Sequence, residues 1–149
     1  MSLDCRLTLA GKTTLEHLAQ RALPDLDERP TGDPLLLSAD LHDRYGFDVD
    51  VYAGEHGYID VVSDQGSWVW KPESYVSVSF DLDTSAGFGR LVTNMLTIVR
   101  RVLDTGTEDA AFIFNGDILL LTRFDGVLVK HRRDSWWNHY PGANEALPG

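Results

Sequence analysis

Long apolar runs, cysteine pairs and an excess of basic residues are all missing from this sequence, and each absence removes a class of protein. No apolar stretch approaches the ~20 residues that a membrane-spanning helix needs, so no membrane partner is expected. The N-terminus, MSLDCRLTLAG, lacks a basic segment leading into a long apolar one, so no secretory leader is expected. Cys5 is the single cysteine, which excludes an internal disulfide and a thiolate zinc site. Together these features point to the cytoplasm.

Positive charge is scarce. The 149 residues carry 13 Lys and Arg against 23 Asp and Glu, a formal net charge of −10. The imbalance is local: between Asp25 and Asp64, 11 carboxylates face only Arg29 and Arg44. Such a field repels nucleic acid and anionic lipid and attracts basic partners. The C-terminal stretch VLVKHRRDSWWNHY has the aromatic and basic mixture of a nucleic-acid surface, but it sits in a half that merely breaks even in charge. Trp136 and Trp137 read instead as the rim of a core, with Asp134 as a cap. Lys130, Arg132 and Arg133 are expected to pair with the chain's own carboxylates.

Catalytic motifs are missing too. GKTT at Gly11–Thr14 lacks the upstream glycine of a phosphate loop, because Arg6 stands in that place. His17, His42, His56, His131 and His139 form no dense ligand spacing, and no G-x-S-x-G elbow exists. No catalytic residue, metal or cofactor is therefore expected, and the chain reads as a non-enzyme.

Periodicity supplies what motifs do not. Cys5, Leu7 and Leu9 alternate with Arg6 and Thr8 as a first strand. Thr13 and Glu16 have capping-box spacing before an apolar stripe of Leu15, Leu18, Ala19, Ala22 and Leu23 that Pro24 ends. A short strand and a helical turn follow, with Ser38 as its cap and Gly46 as its end. From Phe47 to Asp83 the period is two, which predicts an antiparallel meander with Asp48, Asp50, Tyr52, Asp81 and Asp83 on its exposed face. Phe88, Leu91, Val92, Met95, Leu96, Val99, Val102 and Leu103 mark a second amphipathic helix. Asn115-Gly116 and Asp125-Gly126 are hairpin turns of the left-handed kind. The expected fold is α+β: a largely antiparallel sheet with two amphipathic helices packed on one face. One domain spans residues 1–140, and residues 141–149 form a loose tail.

Several stretches carry a family resemblance: LTLAGKTTLEHLAQRALP, LHDRYGF, GSWVWKPESYVSVSF, and above all NMLTIVRRVLDTG with the hairpins EDAAFIFNGDILLLTRFDGVLVKHRRDSWW. In these the chain resembles the small immunity proteins of swarm-inhibition toxin systems, from about Leu7 to Trp137. The resemblance implies a cytoplasmic protein that binds and neutralises a cognate protein toxin, and it carries no binding motif to transfer. Acidity agrees with a basic toxin, and interfaces of this kind draw on aromatic anchors. Asp48, Asp50, Tyr52, Asp60, Asp64, Trp68, Trp70, Asp81 and Asp83 are therefore the expected partner-binding residues. The alternative is a small-ligand-binding protein or hydrolase with a pocket near the C-terminal aromatic segment, using His131 or His139 beside a carboxylate.

Overall fold

Alternation in the first strand organises the sheet of the computed structural model, which describes residues 2–149. The strand β1 (Ser2–Ala10) buries Cys5, Leu7 and Leu9 and sends Asp4, Arg6 and Thr8 to the opposite side. Nine more strands follow: β2 (Thr31–Asp33), β3 (Leu36–Leu41), β4 (Phe47–Glu55), β5 (Ile59–Ser63) and β6 (Gly66–Trp70) in the first half. In the second half come β7 (Ser74–Asp83), β8 (Ala110–Phe114), β9 (Ile118–Phe124) and β10 (Val127–Lys130). Their order across the sheet is β2-β3-β4-β7-β1-β8-β9-β5-β6, with β10 also on β9. Pairing is antiparallel except at one contact, Val62 with Ile118, where β5 runs parallel to β9.

The meander expected over 47–83 is instead one long hairpin. β4 pairs with β7 in the register Phe47↔Leu82 to Glu55↔Ser74, and β5 pairs with β6 in that same register from Ile59↔Trp70 to Ser63↔Gly66. Backbone bonds from His56 to Glu73 (2.6 Å) and from Gly57 to Pro72 (2.8 Å) carry the ladder through the bend between the two halves. The near half packs Val49, Val51, Val78 and Phe80 beneath the helices. Past the bend, the same face of the ribbon lies on the outer side of β8 and β9, where Ile59 and Val61 meet Ala111, Ile113 and Leu119. Strand alternation is equally consistent with both topologies. What separates them is that Ala111 and Ile113 are apolar on the outer side and need a cover.

The helices lie on the inner face. α1 (Leu15–Ala22) and α3 (Phe88–Asp104) bury the stripes that their spacing predicts, α3 contributing eight residues from Leu91 to Leu103. Thr14, not Thr13, caps α1, accepting from the His17 N–H at 3.1 Å. Thr13 is taken by a tertiary partner, donating to Glu108 at 2.8 Å. Ser38 is likewise no cap: it lies within β3 and donates to Asp50 at 2.6 Å. The short helix α2 (His42–Tyr45) ends at Gly46, whose φ of 91° suits glycine.

One ionic cluster ties the inner layer together. Buried Arg21 of α1 donates to Glu108, to the Val102 carbonyl (2.6 Å) and to Thr105 (2.9 Å). Burial pushes the Glu108 carboxyl up, but the bonds from Arg21 and Thr13 outweigh it and hold the group down at about 2. Arg123 of β9 donates to the Glu108 carbonyl at 2.7 Å from the other side.

At the C-terminal end both indoles are buried, with Trp137 fully enclosed and donating its N–H to the Leu120 carbonyl at 3.0 Å. They follow β10 in a π-helical turn, Arg133–Trp137, which has no side-chain cap at its start; Asp134 accepts from Asn138 at 3.1 Å instead. The basic residues here do not pair with carboxylates as expected. Lys130 is buried, lies 4.3 Å over the Trp137 ring, and donates to Asn144 (2.9 Å) and to the Leu147 carbonyl (2.6 Å). Arg133 donates to the Gly149 carbonyl at 3.1 Å. These bonds explain why residues 141–149 are not the loose tail that composition suggests. They form α4 (Ala143–Ala146), and Ala143 and Leu147 are buried beneath it.

Trp137 therefore combines packing, a buried hydrogen bond and a cation–π contact. Replacing it with Ala should cost ~3–5 kcal/mol of unfolding free energy, measured by denaturant titration. A loss under ~1 kcal/mol would show that the neighbouring chain closes the gap and that this ring is not an anchor.

Candidate functional site

On the face away from the helices, strand register sets four aspartates in a row. Asp40 of β3 is opposite Asp48 of β4, Asp48 is opposite Asp81 of β7, and Asp81 is opposite Asp4 of β1. Neighbouring strands are about 4.8 Å apart, so each carboxylate stands beside another of the same sign, an arrangement that destabilises a sheet. Little local bonding relieves it. Asp4 accepts from the Ser79 hydroxyl at 2.8 Å. His42 lies between two of the acids, its Nδ1 3.1 Å from Asp40 and 2.9 Å from Asp48.

The titration of these groups follows from that contact. Hydrogen bonds from the His42 backbone and ring pull Asp40 below the ordinary carboxylate range. Partial burial pushes Asp48 up, and the charge of Asp40 adds to it. His42 is raised, chiefly by its bond to Asp40. Asp40, His42 and Asp48 bring three ligand atoms within 4.8 Å, a spacing a metal ion can use, yet two of the three residues are exposed and exposed acids commonly gather without one.

Around this ladder the other expected residues take different positions. Asp50 and Tyr52 share its face on β4, Asp50 bonded to Ser38 and Tyr52 accepting weakly from Arg6 at 3.5 Å. Asp83 caps a one-turn 3-10 helix by accepting from Ser85 N–H at 3.0 Å, which lowers its pKa along with the Ser85 hydroxyl bond. Trp68 and Trp70 are half-buried and turn onto the sheet, each against Phe124, at centroid distances of 6.1 Å and 5.3 Å. Val127 and Val129 beside them are exposed, so this end of the face is apolar. Asp60 points the other way, exposed on the back of the β5–β6 hairpin. Asp64 is engaged in the fold: it accepts from the Arg132 N–H at 2.9 Å, and its own N–H donates to His131 Nδ1 at 3.2 Å.

Three members of the face were not singled out from the sequence. Asp4 and Asp40 belong to the ladder by register alone; Asp4 is in phase with Arg6 and Thr8, which was legible, but its neighbour Asp81 is 77 positions away in the chain. Arg6 is the third, a half-buried guanidinium on the central strand.

The C-terminal aromatic segment is filled by its own rings, Trp136 packing on Trp137 at 5.0 Å and on Tyr140 at 5.2 Å. A depression of about 250 Å³ beside the C-terminal residues Leu147 and Pro148 is lined also by Arg100, Leu103, Asp104, Arg123 and Leu128, with neither His131 nor His139 among them. His131 is buried beneath the β5–β6 turn, and burial lowers its pKa against the opposing pull of Asp64. No helix among the described residues is long and apolar enough to cross a membrane.

Compared with known proteins, the chain matches one family model, described as SitI3-like, over residues 3–141. No curated protein and no solved structure matches it.

The two perturbed histidines titrate with opposite effect. His131 is depressed, so the unfolded chain takes up its proton first and stability falls as pH drops below about 6.5. His42 is raised, so its contribution is present at low pH and is lost as pH rises through its folded pKa. Melting temperatures followed from pH 7.5 to 5 should therefore fall less in His131→Asn than in the wild type, and more in His42→Asn. Parallel curves for all three would show that neither contact contributes.

Proposed function

This chain belongs to the SitI3-like family, which implies an immunity protein, and on that premise we propose that it neutralises a cognate, basic protein toxin by binding it with the outer face of the sheet. Neutralisation is by occupancy, without chemistry on the toxin, and it takes place in the cytoplasm. The observation that carries this reading is the ladder Asp40–Asp48–Asp81–Asp4. Four like charges held in register weaken the free protein, and a partner that supplies Lys or Arg to them removes that repulsion on binding. A destabilising arrangement at a functional surface is a common trade of stability for activity.

The remainder of the face divides into roles. Asp50 and Tyr52 extend the acidic wall, while Trp68 and Trp70, with Phe124, offer half-buried rings and an apolar edge suited to anchoring. Asp83 lies at the rim, its carboxylate partly occupied by the turn it caps. Asp64 belongs to the scaffold through its bonds to the C-terminal segment, and Asp60 stands on the reverse side of the hairpin, outside the footprint. Charge of this kind acts on encounter: it speeds association, which salt then slows, with a screening length of ~10 Å at 0.1 M.

Asp81→Lys tests the reading from both directions. Placed between Asp48 and Asp4, a lysine replaces two repulsions by two attractions and should raise stability by ~0.2–1 kcal/mol. The same variant should associate more slowly than the wild type with the purified product of the neighbouring gene, the candidate toxin, and with a weaker dependence on salt. Unchanged association at both low and high salt would remove the acidic face from the interface.

A further inference from the structure

Among the described residues Arg6 and Arg132 are the two arginines whose Nε is buried without a partner, and of these two Arg6 lines a pocket. Arg21, Arg44, Arg100 and Arg123 each meet a carboxylate within ion-pair distance, whereas Arg6 meets none among the described residues. It is half-buried on the outer side of β1, between Ser79 of β7 and Ile113 of β8. Its sole side-chain bond is a long one, from Nη1 to the Tyr52 hydroxyl at 3.5 Å, and its buried Nε has no partner. Withdrawing a guanidinium from water without an anion to receive it is costly, so a fold keeps such a group only where something else requires it.

The space beside it is a built pocket. Where the long ribbon bends, Gly57, Tyr58, Pro72 and Tyr75 rise over Arg6 and Thr8 and enclose about 50 Å³. A single water needs ~10–15 Å³ on this measure, so the pocket admits a group of a few heavy atoms, not a nucleotide or a sugar. Gly57 is required by the wall itself: a Cβ there would come within 2.9 Å of Pro72 and 3.0 Å of Tyr75.

We infer that the Arg6 pocket receives a carboxylate side chain of the protein partner, so that the toxin presents one acidic residue within its otherwise basic contact surface; this rests on the outer face being the partner-binding face. Nε is closed off from solvent and Nη1 makes only the long bond to Tyr52, so a carboxylate entering the pocket meets the two terminal nitrogens, an edge that matches it with two parallel hydrogen bonds. A phosphate fits less well, because its second charge would be held on a face that already carries Asp4, Asp48, Asp50 and Asp81. The pocket and the ladder together give a patterned surface in which one positive point sits beside a row of negative ones. A partner with uniformly basic charge is attracted by the ladder but leaves Arg6 half-buried without an anion, so the pocket selects among basic proteins.

The experiment compares Arg6→Met and Arg6→Lys with the wild-type chain, using the purified product of the neighbouring gene, the candidate toxin, as the probe. Arg6→Met should bind roughly tenfold or more weakly, through faster dissociation with little change in association. Arg6→Lys should recover only part of the loss, since a point charge cannot make the paired contact. Without the toxin, Arg6→Met should melt at or above the wild-type temperature, because an unpaired charge has been removed. Amide substitution of each toxin Asp and Glu in turn should find one position whose loss equals that of Arg6→Met and adds nothing to it. If Arg6→Met binds like the wild type while Asp81→Lys is impaired, the pocket inference is wrong and the outer-face reading stands. If neither variant alters binding, the face reading is wrong and the inference goes with it. If Arg6→Met melts well below the wild type and Arg6→Lys restores it, Arg6 is a structural residue and the inference is overturned.

Discussion

The structure depends on the burial of β1 from both edges and from one face. Cys5, Leu7 and Leu9 lie against the helices with no exposure, and β7 and β8 are paired along the two sides. A strand with one dry face cannot slip by a single residue without exposing its whole apolar set, so the register of its neighbours is fixed with it. That constraint, and not any contact on the outer side, is what brings Asp4 into line with Asp81, Asp48 and Asp40. Cys5 shows how firmly the face is closed: burial pushes its thiol up to about 12, so it serves as a small apolar side chain.

The long hairpin turns this flat arrangement into a surface with distinct parts. Its near half extends the acidic wall, its bend makes the Arg6 pocket, and its far half folds onto β8 and β9 with Trp68 and Trp70. The ribbon is held at its tip by Asp64 bonding to Arg132 and His131, and at its bend by the backbone bonds of His56 and Gly57. The C-terminal segment therefore does more than close the core. Through His131 and Arg132 it holds the tip of the aromatic arm.

Charge within the molecule is used in two contrasting ways. On the inner side every buried ionic group is satisfied in place: Arg21 and Arg123 converge on Glu108, and Glu28 receives Arg44 at 3.1 Å and the Tyr45 hydroxyl. On the outer side, like charges oppose one another and Arg6 is left without an anion. The first pattern is what a fold needs for its own stability, and the second costs stability that the rest of the fold has to supply. That contrast within a single sheet is the physical ground on which recognition by the outer face is proposed.

Much of this was legible along the chain, because local patterns report local structure. The stripe of α3, the alternation of β4 and β7, the left-handed turns at Asn115-Gly116 and Asp125-Gly126 and the buried Trp136 and Trp137 follow from spacing and turn chemistry. So do the outward phase of Asp48, Asp50, Tyr52 and Asp81 and the family resemblance itself. Contacts between distant segments were not legible, since periodicity says which way a residue faces and nothing about what faces it. Thr13 lost its cap role to Glu108, Lys130 found Asn144 and Leu147 in place of a carboxylate, and Asp64 was drawn into the scaffold by Arg132. The sequence by itself determined the two faces of the sheet, through the hydrophobic period of each strand. Only the tertiary structure decided that four of its aspartates stand in one row and that Arg6 stands unpaired beside them, because strand order and register are set by long-range burial.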